Sequence, residues 1–142
     1  MSEGVVRQVS VIGAGAWGTA LADLLARNEH PVTLWAYEAD VAESVTRDHE
    51  NGRFLAGARL APSVRATTDL NEALDGASLI ILATPSHLLR SIVRAGAAHV
   101  TRGATICVAS KGIEADSLEL MSDVVSEEVP GCPVVALSGP SF

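Results

Sequence analysis

A glycine-rich segment near the start of the chain has the spacing of a phosphate-binding turn. Its residues, Gly13-Ala14-Gly15-Ala16-Trp17-Gly18, follow a β-branched run and open a helical pattern. In that context the first glycine permits a tight turn, the second lets a pyrophosphate approach the backbone, and the third lets helix and strand pack closely. The N-terminus of the helix adds free N–H groups and a partial positive charge. We therefore predict dinucleotide binding here, against the alternative of a glycine turn that holds no ligand.

An acidic residue follows Gly18 by 20 positions, at the end of the second apolar run. This residue, Glu38, can accept hydrogen bonds from the hydroxyls of an adenosine ribose, and its carboxylate would repel a 2′-phosphate. Glu38 therefore favours NAD over NADP, with NADP as the alternative cofactor and a solvated loop charge as the alternative role. Its neighbour Tyr37 can stack on the adenine or simply pack at the end of the strand.

Two further polar turns follow apolar runs in the second half of the chain. Lys111, in Ser-Lys-Gly-Ile-Glu, can neutralise a substrate phosphate or polarise a carbonyl as hydride arrives. A solvated lysine is the alternative. The turn 138–142, Ser-Gly-Pro-Ser-Phe, can offer N–H and hydroxyl donors to a phosphate, with an ordinary loop as its alternative.

Other kinds of site find no support in the spacing of the reactive residues. Cys107 and Cys132 lie far apart without a CxxC pair or a nearby Cys/His cluster, so we expect neither a disulfide nor a metal site. His49 and His87 lie in or beside the predicted ligand-edge loops. The spacing of these residues does not identify a Ser/His/Asp or Cys/His catalytic set, so the sequence gives no support for a hydrolase.

The elements that must position these residues alternate between strand and helix. Predicted strands cover Val9–Ile12, Val32–Trp35, Val64–Ala66, Ser78–Ala83, Ala104–Ala109 and Val134–Leu137. Predicted helices begin near Trp17, Asp40, Asp69, Ser86 and Ser117, the first with Trp17, Leu21, Leu24 and Leu25 on one face and the last running to Glu128.

The apolar runs do not alternate with polar residues, which indicates strands covered on both faces. We predict an α/β, Rossmann-type, doubly wound and mostly parallel sheet with helices on both faces. Right-handed crossovers would place the strand ends at Gly13, Glu38, Thr84 and Ser110 along one ligand-binding edge.

Composition limits what the chain can be. Its 142 residues, 48% of them apolar, suffice for one hydrophobic core, so we assign residues 1–142 to one dinucleotide-binding domain. A formal charge of −7 argues against a nucleic-acid partner. No apolar run approaches the roughly 20 residues of a membrane span, and the start lacks a signal-peptide pattern, so we expect a cytoplasmic protein without membrane insertion.

Together, six motifs along the chain closely resemble the N-terminal half of bacterial NAD(P)-dependent sn-glycerol-3-phosphate dehydrogenase. They are residues 13–22, residues 34–38, His-Glu-Asn at 49–51 with Phe54-Leu55, Ala-Thr-Pro-Ser-His at 83–87, Ser-Lys-Gly-Ile-Glu at 110–114 and Leu-Ser-Gly-Pro-Ser-Phe at 137–142. The glycine pattern is shared by many dehydrogenases, whereas the last two motifs are far more particular to this family.

The resemblance implies roles for individual residues. Ala16 and Trp17 would contact the cofactor diphosphate, Tyr37 would lie near the adenosine, and Leu88 would occupy the nicotinamide side. Lys111 would be the catalytic residue of this chain, touching substrate and nicotinamide and stabilising charge. Gly139 and Ser141 would border the substrate. Many bacterial members have His-Arg in place of Tyr37-Glu38, so this departure strengthens the argument for NAD.

The resemblance also implies an activity. The family transfers hydride between NAD(P)H and dihydroxyacetone phosphate, giving sn-glycerol 3-phosphate for phospholipid biosynthesis, and a homodimer is expected of the whole enzyme. The family's helical C-terminal domain carries a general acid/base lysine and an Arg/Asn pair for the substrate phosphate, and we expect residues 1–142 to lack that domain. We therefore expect this chain to bind dinucleotide weakly and to turn over negligibly.

Two rival functions remain open at this point. One is a related two-domain dehydrogenase of the ketopantoate or 3-hydroxy acid reductase type, whose motifs after the fourth and fifth strands would differ. The other is a stand-alone NAD-binding or regulatory module, which would have no need for Lys111.

Overall fold

Strands and helices alternate along the part of the chain that the computed structural model describes, residues 7–138. The strands are β1 (Val9–Ile12), β2 (Val32–Trp35), β3 (Arg65–Thr67), β4 (Leu79–Leu82), β5 (Thr105–Val108) and β6 (Val134–Ala136). The helices are α1 (Ala16–Arg27), α2 (Ala39–Asp48), α3 (Leu70–Leu74), α4 (Ser86–Gly96) and α5 (Met121–Glu128), with a 3₁₀ turn at Ala97–His99. None of these helices is both long and apolar enough to cross a membrane.

The strands form a sheet in the order β3-β2-β1-β4-β5-β6, and every neighbouring pair is parallel. Val9 of β1 pairs with Val32 on one side and Leu79 on the other, so the chain winds outward in both directions from the β1/β4 junction. A reversal of strand order opens a crevice at the carboxyl ends of the central strands. The predicted Rossmann-type fold is therefore confirmed, and the sheet is wholly parallel.

The sheet separates two layers of apolar side chains. On one face, Val11 and Leu34 pack with residues of α1 and α2. On the other face, Ile12 and Ile80 pack with residues of α3, α4 and α5. Consecutive residues of one strand thus enter different cores, which explains why the strand sequences are apolar throughout instead of alternating.

Helix α1 packs with only part of the face that the spacing predicted, since Leu21 and Leu25 pack against the core but the other two residues do not. Trp17 and Leu24, which the spacing assigned to the apolar face, are 53% and 56% exposed. The buried residues are instead small, among them Gly18 and Ala22. A Cβ atom on Gly18 would overlap the carbonyl oxygen of Gly13, so helix and strand approach too closely for large side chains.

The last helix begins at Met121 and not at Ser117 as predicted. The preceding segment folds into a compact loop, because the amide of Leu118 donates to the Glu114 carbonyl at 2.8 Å and the Glu114 amide donates to the Glu119 carbonyl at 2.9 Å. Leu118 has a φ of +61°, which interrupts a right-handed helix.

The remaining boundaries differ from the predictions by a few residues. Strand β3 lies one residue later than predicted, since the Val64 amide donates to the Ala61 carbonyl in a turn. Helix α2 ends at Asp48 because His49 adopts a left-handed φ of +56°. Asp69 caps α3 as predicted, its carboxylate accepting from the Glu72 amide.

Candidate functional site

A cavity of about 490 Å³ lies where β1, β2, β4 and β5 end. It is lined by residues from all four strand ends, from the first turns of α1 and α4, and from the loop after α2. The structure brings together every residue that the sequence assigned to the cofactor: Gly13, Gly15, Ala16, Trp17, Gly18, Tyr37, Glu38, Leu88 and Lys111. Residues up to 98 positions apart in sequence therefore share one cavity.

Two glycines of the turn are required by the fold itself. Gly13 has a φ of +119°, and a Cβ atom there would lie 2.6 Å from the Ala83 carbonyl oxygen. Gly18 is the contact point between α1 and the end of β1. Neither position admits a side chain, whether or not a ligand is present.

Gly15 differs from both of these glycines. Its φ of −71° is open to any residue, and a Cβ atom there would meet nothing within 4 Å. The protein therefore gives no reason for a glycine at this position. The open space that a side chain would enter is the cavity, which fits a ligand lying directly against the backbone.

The N-terminus of α1 is open toward this space. Gly15 is the N-cap residue, no side chain caps the helix, and its first turn carries no acidic residue. The first intrahelical bond runs from the Thr19 amide to the Gly15 carbonyl at 3.0 Å, so the N–H groups before Thr19 have no partner within the helix. Such a terminus combines unused donors with the positive end of the helix dipole, which suits a phosphate.

The end of β2 supplies an aromatic and an acidic group. Tyr37 is 80% exposed, with its ring edge-on to Trp35 at a centroid distance of 6.4 Å, so it is not packed into the protein. The Trp35 indole is held in turn by donation to the Thr68 carbonyl at 3.0 Å. Glu38, half-buried, is the N-cap residue of α2 and lines the cavity.

Lys111 is exposed on a short segment after β5 that is held on both sides. On one side the Ser110 hydroxyl donates to the Thr84 carbonyl at 2.5 Å. On the other, the Glu114 carboxylate accepts two hydrogen bonds from the Arg90 guanidinium, at 2.7 and 2.9 Å. These bonds hold the pKa of Glu114 at about 2, well below its ordinary value. The cation is thus carried on an anchored loop at the far end of the cavity from β2.

Phe54, Ile92 and Thr84 are among the lining residues that the sequence did not predict as site residues. Phe54, 39% exposed, reaches the cavity from the loop after α2, and Ile92 lies one turn beyond Leu88 on α4. Thr84 was expected at the ligand edge but was given no role. Its hydroxyl is buried and has no hydrogen-bond partner within residues 7–138, so a polar ligand group in the cavity would satisfy it.

The structure describes only some of the residues predicted to bind substrate. Gly139 and Ser141 lie outside the described residues, and their assignment stays a prediction. A second cavity of about 300 Å³ lies next to Lys111, between Met121 and Ser138. Ser138 is the first residue of the predicted substrate turn 138–142.

The other reactive residues lie away from the cavity. His49 and His87 are absent from its lining, and across residues 7–138 no group of three His, Cys, Asp or Glu side chains is placed to hold a metal ion. Cys107 and Cys132 are free thiols, and burial in β5 raises the pKa of Cys107.

Known proteins are similar to nearly the whole length of this chain. Residues 8–142 match the family described as NAD-dependent glycerol-3-phosphate dehydrogenase N-terminus. The chain is 46% identical over 135 residues to a glycerol-3-phosphate dehydrogenase [NAD(P)+] of Caulobacter vibrioides, covering 95% of this chain and 40% of that protein. It is 45% identical over 138 residues to the protein of the same name from Anaeromyxobacter dehalogenans.

A solved structure is also similar to nearly the whole chain. The crystal structure of glycerol-3-phosphate dehydrogenase from Coxiella burnetii superposes with a TM-score of 0.88 at 31% identity, over 96% of this chain and 42% of that one. The chain thus spans about two fifths of the length of the proteins it matches.

Proposed function

The chain belongs to the family of NAD-dependent glycerol-3-phosphate dehydrogenase N-termini, and from this we propose that it binds a nicotinamide dinucleotide in the cavity at the strand ends. We propose further that it serves an enzyme that interconverts dihydroxyacetone phosphate and sn-glycerol 3-phosphate. The observation that carries the proposal is the cavity itself. It is lined at one end by Gly15, where no side chain covers the backbone, and at the other end by Lys111.

The residues of the cavity fit such a cofactor. The open N-terminus of α1 offers donors to a diphosphate, and the absence of a side chain at Gly15 leaves room for close approach. Glu38 offers a carboxylate to ribose hydroxyls, while the exposed Tyr37 ring offers a stacking surface beside it. Leu88 and Phe54 supply apolar contacts.

A bound nicotinamide cofactor supplies the hydride, so this chain contributes binding, orientation and charge. In the proposed mechanism, Lys111 neutralises negative charge that develops on the substrate oxygen. Gly139 and Ser141 are proposed to border the substrate. Proton transfer is assigned to the part of the relatives' length that this chain does not match.

A titration of this chain with NADH and with NADPH tests the cofactor proposal. Binding is followed through nicotinamide fluorescence and through Trp17, which lines the cavity. We expect NADH to bind about tenfold or more tightly than NADPH, since the Glu38 carboxylate disfavours a 2′-phosphate. The Glu38→Arg variant should narrow or invert this preference.

The matched control is Glu43→Arg, which makes the same change of charge on an exposed part of α2 outside the cavity. It should leave the NADH to NADPH ratio near that of the parent chain. An unchanged ratio in Glu38→Arg would contradict the ribose role of Glu38, and an absence of NADH binding would contradict the cofactor proposal.

The reaction requires a separate test. A fusion of this chain to the part of the Caulobacter relative beyond the matched stretch should oxidise NADH with dihydroxyacetone phosphate. Lys111→Ala in that fusion should lose turnover and retain NADH binding. Retained turnover in Lys111→Ala would contradict the proposed role of Lys111. A parent fusion that binds NADH but shows no turnover would favour the second candidate, a stand-alone NAD-binding module. A homodimer and a cytoplasmic location are further proposals, and light scattering of the fusion tests the first.

A further inference from the structure

A fully buried asparagine joins two walls of the cavity without lining it. Asn51, in the loop that follows α2, is 0% exposed and lies between the glycine-rich turn and the segment that carries Phe54. Nothing in the proposed function uses this residue. A buried amide is costly unless its donors and its acceptor are paired, so its partners show what it holds.

The amide group of Asn51 is paired on both sides. Its nitrogen donates to the Ala14 carbonyl at 2.8 Å and to the Thr19 hydroxyl at 2.8 Å. Its oxygen accepts from the Phe54 amide at 3.0 Å. One side chain therefore ties the glycine-rich turn and α1, across 37 and 32 residues, to the loop that presents Phe54.

The bond to Ala14 orients the peptide unit that joins Ala14 to Gly15. In a planar trans peptide the carbonyl oxygen and the N–H point in opposite directions. Because the Ala14 carbonyl points toward the buried Asn51, the Gly15 N–H points away from it. Gly15 lacks the Cβ atom that would restrict rotation of this peptide, so an external partner is needed to hold it.

We infer that Asn51 is a positioning residue for dinucleotide binding, which directs the Gly15 N–H toward the diphosphate and holds Phe54 against the cavity. This inference rests on the proposed function, since it assigns the cavity to a dinucleotide. Asn51 acts only through Ala14, Thr19 and Phe54 and does not contact the ligand.

The test is an NADH titration of this chain and two variants, with NMR of the Gly15 amide. Asn51→Ala should raise the Kd for NADH about tenfold or more and accelerate hydrogen exchange of the Gly15 amide. Asn51→Asp keeps the size of the side chain and the acceptor for the Phe54 amide, but it has no N–H for Ala14. It should therefore weaken NADH binding by a similar factor.

A control separates positioning from simple loss of stability. Ser10 is equally buried and donates its hydroxyl to the Ala73 carbonyl, in the layer of the opposite core. Ser10→Ala should leave the Kd for NADH and the Gly15 amide signal within twofold of the parent chain. All titrations are run at a temperature below the midpoint of thermal unfolding of each variant. If Asn51→Ala does not fold, Asn51→Asp still tests the inference.

The outcomes distinguish this inference from the proposal on which it rests. Loss of NADH binding in both Asn51 variants, with binding retained in Ser10→Ala, supports the inference. If the parent chain binds NADH and Asn51→Asp binds it within twofold as tightly, the inference is overturned and the proposed function stands. If the parent chain itself does not bind NADH, the proposed function fails.

Discussion

Gly13, Gly15 and Gly18 occur in one motif for different physical reasons. A side chain at Gly13 would overlap the Ala83 carbonyl, and one at Gly18 would overlap the Gly13 carbonyl. The fold therefore requires glycine at both positions. Gly15 faces open space in an ordinary backbone conformation. The fold therefore gives no reason for glycine at that position, whereas the proposed dinucleotide does, a distinction that the motif by itself does not make.

This difference predicts opposite effects of alanine at two positions. Gly15→Ala should change the free energy of unfolding by no more than about 1 kcal/mol, in either direction, since no contact is lost and the unfolded chain is restricted. It should weaken NADH binding tenfold or more. Gly18→Ala should cost about 3 kcal/mol or more, because its Cβ atom meets backbone. Urea denaturation and NADH titration measure the two effects.

The pair serves as its own control, because the substitution is the same and only the surroundings differ. Tight NADH binding by Gly15→Ala would show that no ligand approaches the backbone there. A stable Gly18→Ala variant would show that α1 can move away from β1.

At the scale of elements, Arg90 joins α4, α5 and the loop that carries Lys111. Its guanidinium contacts Glu114 at 2.7 Å, Glu127 at 2.9 Å and Glu128 at 2.8 Å, and Arg94 shares Glu128 at 2.8 Å. Hydrogen bonds from these arginines lower the pKa of Glu114 and of Glu128 to about 2. The loop is therefore stabilised by charge pairs between helices that also pack against the sheet.

The pKa shifts predict how this network responds to acid. Carboxyl groups whose pKa is lowered on folding stabilise the folded state above the ordinary pKa near 4.5, and that contribution is lost as the pH falls toward about 2. Arg90→Met should therefore reduce the free energy of unfolding at pH 7, and its deficit relative to the parent chain should shrink between pH 4.5 and 2. Urea denaturation across this range measures the deficit.

Arg94→Met is the matched control on the same helix, since Arg94 is more exposed and pairs with Glu128 without touching Glu114. Its deficit at pH 7 should be smaller, and hydrogen exchange in the Lys111 segment should stay near that of the parent chain. A pH-independent deficit in Arg90→Met would show that the arginine acts by packing and not by charge.

Within the network, one carboxyl behaves in the opposite sense. A hydrogen bond with the neighbouring Glu127 raises the pKa of Glu119. At neutral pH the closeness of these two carboxyl groups opposes folding, because a raised pKa means that the ionised form is less favourable in the folded state.

At the scale of the molecule, the sheet divides the interior into two independent cores. Val45 of α2 and Val124 of α5 are both 0% exposed, and they belong to different cores. Val45→Ala and Val124→Ala should each cost about 2 kcal/mol, from lost burial and the cavity that remains. In the double variant the costs should add to within about 0.5 kcal/mol, because the residues share no partners.

Equilibrium urea unfolding of the parent chain, both single variants and the double variant measures this coupling. An interaction energy above about 1 kcal/mol would show that the sheet transmits repacking from one face to the other. Additivity would support treating the layer of α1 and α2 as energetically separate from the layer of α3, α4 and α5.

The amino-acid sequence by itself determined the strands, their alternation with helices, and the glycine turn with Glu38 behind it. These features are encoded locally, by apolar runs and by fixed spacing between neighbouring residues. Motifs at 83–87 and 110–114 also marked the regions that supply Leu88 and Lys111 to the cavity.

Only the tertiary structure decided which side chains face the cavity and what holds them in place. Trp17 lines the cavity and stays half exposed, although its spacing places it on the core face of α1. Phe54 and Thr84 reach the cavity because of the strand order and the path of the loops. Asn51 meets Ala14 across 37 residues. Such contacts depend on how distant segments pack, which neither residue spacing nor local periodicity encodes.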